Sequence, residues 1–111
     1  PIYIFLVQDG VIHTPTPDCF LDGITRRTVM ELARKRGYEV VERAIQPEEL
    51  AKTQEVFLTG TAVEVTPVRE IAMQQATYTF SPGEITRNLL NDYDALVLGN
   101  DAAAAAASSV V

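Results

Sequence analysis

Glu55-Val56-Phe57-Leu58-Thr59-Gly60-Thr61-Ala62-Val63-Glu64-Val65-Thr66-Pro67-Val68 opens as a short apolar run, stops at a glycine between two threonines, and resumes in weak alternation until a proline. The first five residues have the composition of a strand, and Gly60 has the backbone freedom a tight turn needs. The stretch therefore predicts a strand over 55–59, a turn, and a second extended segment over 62–68. A glycine flanked by threonines can also hold successive amide N–H groups in a concave turn, an anion nest, with the hydroxyls as neutral donors. A plain turn between two strands accounts for the same residues.

Upstream, Pro47-Glu48-Glu49-Leu50 predicts a short helix with proline at its first position, and Glu39-Val40-Val41-Glu42-Arg43-Ala44-Ile45 a strand. From about Gly23 to Arg36 the apolar residues Ile24, Val29, Leu32 and Ala33 fall at helical spacing. Arg26, Arg27, Arg34, Lys35 and Arg36 lie mostly around the other face, and Gly37 stands where a helix C-cap belongs. Ile2-Tyr3-Ile4-Phe5-Leu6-Val7 reads as a strand that reverses at Asp9-Gly10 into a second short strand through Val11 and Ile12. Thr14-Pro15-Thr16-Pro17-Asp18 is a loop, because its prolines remove donors and hold their neighbours extended. The order of strand, helix, strand, helix, strand is that of an α/β chain.

Downstream, residues 69–80 have enough Ile, Thr, Tyr and Phe for one more strand or a hairpin. Ser81-Pro82-Gly83-Glu84 has the form of a capping box, and Ile85, Leu89, Tyr93, Leu96 and Val97 carry the following helix to about Leu98, where Gly99 can stop it. Residues 1–99 form the structured body. Residues 100–111, with six alanines, are a low-complexity tail to which no function is given.

At 111 residues the chain has room for one domain or part of a larger one, with 47% hydrophobic and 22% charged residues, as in ordinary globular proteins. No segment approaches the roughly 18 to 20 apolar residues of a membrane span, and no signal peptide is visible, so the expectation is a cytoplasmic protein. Nine basic against fifteen acidic residues give a net charge of −6, which opposes binding to nucleic acid and to anionic membranes. One cysteine, Cys19, and one histidine, His13, offer neither an internal disulfide nor a Cys/His metal cluster.

A second candidate anion seat is Leu21-Asp22-Gly23-Ile24-Thr25, leading into the long helix. A helix N-terminus leaves amide N–H groups unpaired and carries the positive end of the macrodipole, and glycine permits close approach. Asp22 acting as an ordinary cap, with Thr28-Val29-Met30-Glu31 as a further capping-box start, explains the same residues. Two seats built from amides and hydroxyls suit a ligand with two anionic ends in an acidic protein. His13 reads as a surface histidine, Cys19 as a small buried hydrophobe, and Glu48-Glu49 as favourable charge in a first helical turn. The arginine clusters read as a solvated helix face, with Arg26 close enough to the seat at Gly23 to contribute.

These segments, taken together, resemble a known family. Phe20-Leu21-Asp22-Gly23-Ile24-Thr25-Arg26 leading into Glu31-Leu32-Ala33, then Val40-Val41-Glu42-Arg43, Pro47-Glu48-Glu49-Leu50 and the whole of Glu55–Val68 are similar, in order and spacing, to the C-terminal half of class IV pyridoxal-phosphate aminotransferases. Within the class the likeness is to the branched-chain amino acid aminotransferases, and it runs from Ile4 through the Ser81-Pro82-Gly83-Glu84 helix start to about Tyr93. It implies fold type IV, with a mixed sheet or pseudobarrel and flanking helices, as the C-terminal part of the large domain. By the same resemblance Gly23, Ile24, Thr25 and Thr61 look like the residues that hold the phosphate of pyridoxal 5′-phosphate, and Gly60, Thr61 and Ala62 like the turn that receives the substrate α-carboxylate. Amino acid and 2-oxo acid substrates and a homodimer are implied as well.

The family's Schiff-base lysine, its cofactor-facing tyrosine and glutamate, and an arginine on the phosphate belong upstream of the region covered. Lys35 and Lys52 are the only lysines, and neither stands at the family's position. The expectation is thus a C-terminal portion that lacks the missing N-terminal half and does not transaminate alone. Two other functions fit parts of the pattern. One is a non-catalytic anion-binding or interaction module; the other is a tautomerase using the secondary amine of Pro1 as a base.

Overall fold

The structure is a computed structural model, and it describes the backbone of residues 2–16, 23–60, 64–74 and 76–109, with side chains through residue 99. Pro1, Cys19, Asp22, Thr61 and Ala62, to which expectations were attached, lie outside the described residues.

Strands β1 (Ile2–Gln8) and β2 (Val11–Thr14) form the expected hairpin, paired Gln8 to Val11 and Val7 to Ile12. Asp9 and Gly10 both have positive φ, 51° and 79°, as a two-residue turn of this hand requires. Helix α1 (Ile24–Lys35) follows and returns the chain to β3 (Val40–Glu42), which lies parallel to β2. The helix ends at Gly37, φ 87°, where the Gly37 and Tyr38 amides donate to the carbonyls of Arg34 and Ala33 and so satisfy two helix-end acceptors. A 3-10 helix, Pro47–Lys52, leads to β4 (Glu55–Gly60), which pairs antiparallel with β1 and with β5 (Glu64–Pro67). The resulting mixed sheet has the order β3-β2-β1-β4-β5, and β6 (Glu70–Ala72) and β7 (Thr77–Thr79) form a separate hairpin. Helix α2 (Glu84–Ser109) closes the chain.

Alternation along β1 divides the interior in two. Phe5 and Val7 point to one face and meet Phe57, Ile12, Val29, Met30, Ala33 and Leu89 beneath the two helices. Leu6 points to the other, with Val56, Leu50 and Phe80, under the 3-10 helix and the β6–β7 hairpin. Phe5 and Phe57 are register partners on β1 and β4, and their rings stack with centroids 5.0 Å apart. Such a pair adds about 0.5–1.5 kcal/mol beyond its buried area. The central strands are thus covered on both sides, which is why β1 and β4 read as almost unbroken apolar runs.

Three expectations about local structure are corrected. The strand over Glu39–Ile45 shortens to Val40–Glu42, because Arg43 turns away to bond the Thr14 carbonyl through its amide and the chain leaves the sheet. Helix α2 begins at Glu84 with Gly83 at the cap position, not at Ser81, and it passes through Gly99 to Ser109. Alanine is the strongest helix former, so the tract after Gly99 carries the helix past a residue that only weakens it. On α1 the buried residues are Arg26, Val29, Met30 and Ala33, while Ile24 is 77% exposed, so the solvated-face reading fails for Arg26. Among the described residues no helix is long and apolar enough to cross a membrane, and no group of three or more His, Cys, Asp and Glu side chains is placed to hold a metal ion.

Candidate functional site

The two predicted seats meet at one end of the sheet. Ile2 pairs with Gly60 and Tyr3 with Thr59, so the last residues of β4 lie beside the first residues of β1. Tyr3 is on the helix-covered face and reaches the start of α1: a Cβ added to Gly23 would stand 2.7 Å from Tyr3 Cε2. Glycine at 23 is therefore a packing requirement, since any side chain would displace the ring. Thr59, directly opposite Tyr3, faces the same way.

Gly23 is half-buried in extended conformation and its carbonyl accepts the first helical bond, from the Arg27 amide at 3.1 Å. It offers no side-chain cap, and the first turn of α1 contains no acidic residue. Ile24 projects to solvent, and Thr25 is half-buried. The described part of the turn after β4 begins with buried Gly60 and resumes at Glu64, whose φ of 53° is uncommon for a residue with a side chain. Gly60 and Glu64 are register partners. Thus Gly23, Ile24 and Thr25 are brought to the same end of the fold as Gly60, while Thr61 and Ala62 lie outside the described residues.

The residue types expected at the seats do not include the side chains that join them. Arg26 is only 2% exposed, and its Nη2 donates to Glu42 Oε2 at 3.0 Å and to the Pro15 carbonyl at 3.2 Å. Its guanidinium lies over the Tyr3 ring, 5.7 Å from the centroid. Thr14 is fully buried and donates through Oγ1 to the Ile4 carbonyl at 2.8 Å. Thr59 Oγ1 is buried without a hydrogen-bond partner among the described residues. Leaving such a hydroxyl unpaired costs roughly 1–3 kcal/mol, which an outside acceptor would offset. A signal for Arg26 was present in the spacing: residues 26, 29, 30 and 33 form one i, i+3, i+4, i+7 stripe, and the arginine occupies its first position.

Chemically the corner suits an anion with several acceptor oxygens. It combines a helix N-terminus with no acid in its first turn, a glycine that keeps the approach short, threonine hydroxyls and a buried arginine. Helix α1 is about 18 Å long, so Lys35 in its last turn is far from this end.

The other sheet face carries a polar network without these features. His13, half-buried, accepts from Arg43 Nε through Nδ1 at 3.1 Å, and Arg43 ion-pairs with Glu49. Burial first, and then the Arg43 charge, push the His13 pKa below its ordinary value. The hydrogen bonds from Arg43, and then from the Gln46 amide, draw the Glu49 carboxyl down to about 2. Gln8 Nε2 joins the network through Glu49 and Thr53. Glu48-Glu49 thus does more than place favourable charge in a helical turn, and His13 has a defined partner.

The sequence pattern of the amino-transferase class IV family matches residues 3–71. The branched-chain-amino-acid aminotransferase of Pseudomonas aeruginosa is 42% identical over 96 residues, which are 86% of this chain and 31% of the relative. The solved branched-chain aminotransferase of Thermoproteus uzoniensis with norvaline superposes with a TM-score of 0.78 at 39% identity, covering 88% of this chain and 32% of that one. A branched-chain amino acid aminotransferase solved in complex with N-(5′-phosphopyridoxyl)-L-glutamate, from the source abbreviated T.th., gives a TM-score of 0.74 at 37% identity, covering 88% and 33%. The chain spans about a third of the length of these relatives. The family pattern takes in β1, the start of α1 and the β4–β5 turn, the same elements that form the corner, and on this agreement the chain belongs to the class IV aminotransferases.

Proposed function

We propose that the chain is the C-terminal part of the large domain of a pyridoxal-phosphate-dependent aminotransferase that moves the amino group of a branched-chain amino acid to 2-oxoglutarate, acting as a homodimer. The observation that carries this reading is the α1 N-terminus, uncapped by Gly23, free of acidic residues in its first turn and seated beside Tyr3 and Thr59. The ligands of the solved relatives support it, since one branched-chain enzyme was solved with a phosphopyridoxyl compound and an aminotransferase from Brucella abortus with the cofactor itself.

In this reading Gly23, Ile24, Thr25 and Thr61 hold the cofactor phosphate. The amides of Gly60, Thr61 and Ala62 hold the substrate α-carboxylate. Bound pyridoxal phosphate supplies the electron sink for amino-group transfer. The part played by this chain is binding and orientation: fixed N–H dipoles take up anionic charge without the side-chain reorganisation that lysines would require. Holding the phosphate at α1 and the carboxylate at the β4–β5 turn sets the distance between cofactor and substrate. Neither exposed lysine belongs to this corner, so the group that anchors the cofactor covalently comes from the rest of the enzyme.

The test uses the complete gene product that carries this chain. Stripped of cofactor, it should bind pyridoxal phosphate at least 100-fold more tightly than pyridoxal, which lacks the phosphate. The reconstituted protein should form glutamate from leucine and 2-oxoglutarate. Equal affinity for the two vitamers would remove the phosphate-seat reading; phosphate-dependent binding without glutamate formation would favour a non-catalytic binding module.

A further inference from the structure

We propose that Arg26 is a positioning residue of the phosphate seat, a buried cation that fixes the first turn of α1 against β1, β3 and the chain ahead of the helix. The inference rests on the reading of that turn as the phosphate seat. Counting from Gly23 at the cap, Arg26 is the third helical residue, and Arg27 follows it. A cation there opposes the positive end of the helix dipole, where an acidic residue is the favourable choice. Burial makes the placement costlier still, since the guanidinium is 2% exposed. A charge held against both effects calls for compensating contacts, and the structure supplies three. Glu42 on the edge strand β3 pairs with Nη2 at 3.0 Å, the Pro15 carbonyl accepts from the same nitrogen at 3.2 Å, and the Tyr3 ring lies beneath the guanidinium.

Each contact ties the seat to a separate part of the fold. Tyr3 is also the side chain packed against Gly23, so the arginine holds the ring that sets the height of the helix start above the sheet. Pro15 belongs to the segment running from β2 toward α1, and Glu42 ends the strand to which α1 returns the chain. The half-exposed Glu42, 38% accessible, offsets the arginine charge only through a partly solvated carboxylate, so the corner retains positive potential for a dianion. Arg26 therefore acts through the backbone amides it positions and through its field, without being assigned a bond to the phosphate.

The experiment compares affinities for pyridoxal phosphate and pyridoxal in the cofactor-free complete protein, for wild type, Arg26→Met, Arg26→Lys and Glu42→Gln, with far-ultraviolet circular dichroism as the check on folding. Arg26→Met should weaken pyridoxal phosphate binding at least 10-fold and pyridoxal binding less than 3-fold, and it should abolish thermal stabilisation by inorganic phosphate. Arg26→Lys, which keeps the charge but loses the planar fork, should fall between. A purely structural role would lower both affinities together or leave both unchanged, and either result overturns the proposal. Should Arg26→Met fail to fold, Glu42→Gln decides, because it releases the guanidinium from its carboxylate at a half-exposed position. A change in the affinity ratio of 2-fold or more supports the proposal, and an unchanged ratio overturns it. Failure of the wild type to prefer the phosphorylated vitamer would instead overturn the phosphate-seat reading itself.

Discussion

The two long helices begin in opposite ways. At α2 the carboxylate of Glu55, on the first residue of β4, accepts from the Gly83 amide at 3.1 Å and the Thr86 amide at 2.8 Å, and Glu84 adds charge in the first turn. At α1 the cap is a glycine, the first turn has no acid, and a buried arginine stands at the third position. The 3-10 helix is closed as well, by its own Glu49 carboxylate, which accepts from the Gln46 amide at 2.7 Å. Both long helices also bury a threonine hydroxyl without a partner among the described residues, Thr59 beside α1 and Thr86 in α2, so an orphan hydroxyl does not distinguish them. The amides do. A helix that serves only the fold is neutralised from within, whereas one that binds an anion leaves its donors to the ligand.

The largest effect should come from opening the closed end. Glu55→Ala strands two buried donors at the start of α2, and the loss is expected to be about 3 kcal/mol, or roughly 100-fold faster hydrogen exchange at Gly83 and Thr86. Less than a 5-fold change would mean that water replaces the carboxylate and that the end was never closed by Glu55. Gly83→Ala attacks the same contact sterically, because a Cβ would lie 2.5 Å from the Glu55 carboxylate carbon; about 1–2 kcal/mol of destabilisation is expected in thermal melts.

Closing the open end should separate stability from binding. Ile24→Glu puts an acid at an exposed first-turn position, so the cofactor-free protein should gain about 0.3–1 kcal/mol while affinity for pyridoxal phosphate falls. Calorimetry with and without cofactor measures both signs, and a variant that binds as tightly as wild type would break the comparison.

The smallest effects concern pH. Glu49, with a folded pKa of about 2 against an ordinary 4.5, contributes stability that is present above pH 4.5 and lost as pH falls toward 2. His13 has its folded pKa below the unfolded 6.5, so the unfolded chain takes up more protons and stability declines as pH drops through 6.5. Thermal melts between pH 3 and 8 should show both losses. Arg43→Gln should flatten the low-pH limb, since it removes the principal donor that lowers Glu49.

Much of the fold was legible because local chemistry and tertiary demand agree. Asp9-Gly10 has the conformational freedom a two-residue turn needs, Gly37 ends α1 with positive φ, and Pro47 opens a short helix. Where they disagree, the sequence misled. Ser81-Pro82-Gly83-Glu84 has every mark of a local cap, yet the capping oxygen comes from Glu55, far away in sequence. Gly99 looks like a stop, but the alanines beyond it sustain the helix.

The sequence by itself determined the strand and helix order, the glycine-marked turns, the family resemblance and the two segments suited to anions. These depend on backbone preferences and short-range spacing, which each residue carries wherever it is placed. Only the tertiary structure decided that Gly23 and Gly60 lie at one end of one sheet, that Arg26 is buried and Ile24 is not, and that Glu55 closes one helix while the other stays open. Those outcomes turn on which face of a helix meets the sheet and which distant carboxylate reaches an amide, and long-range packing settles both.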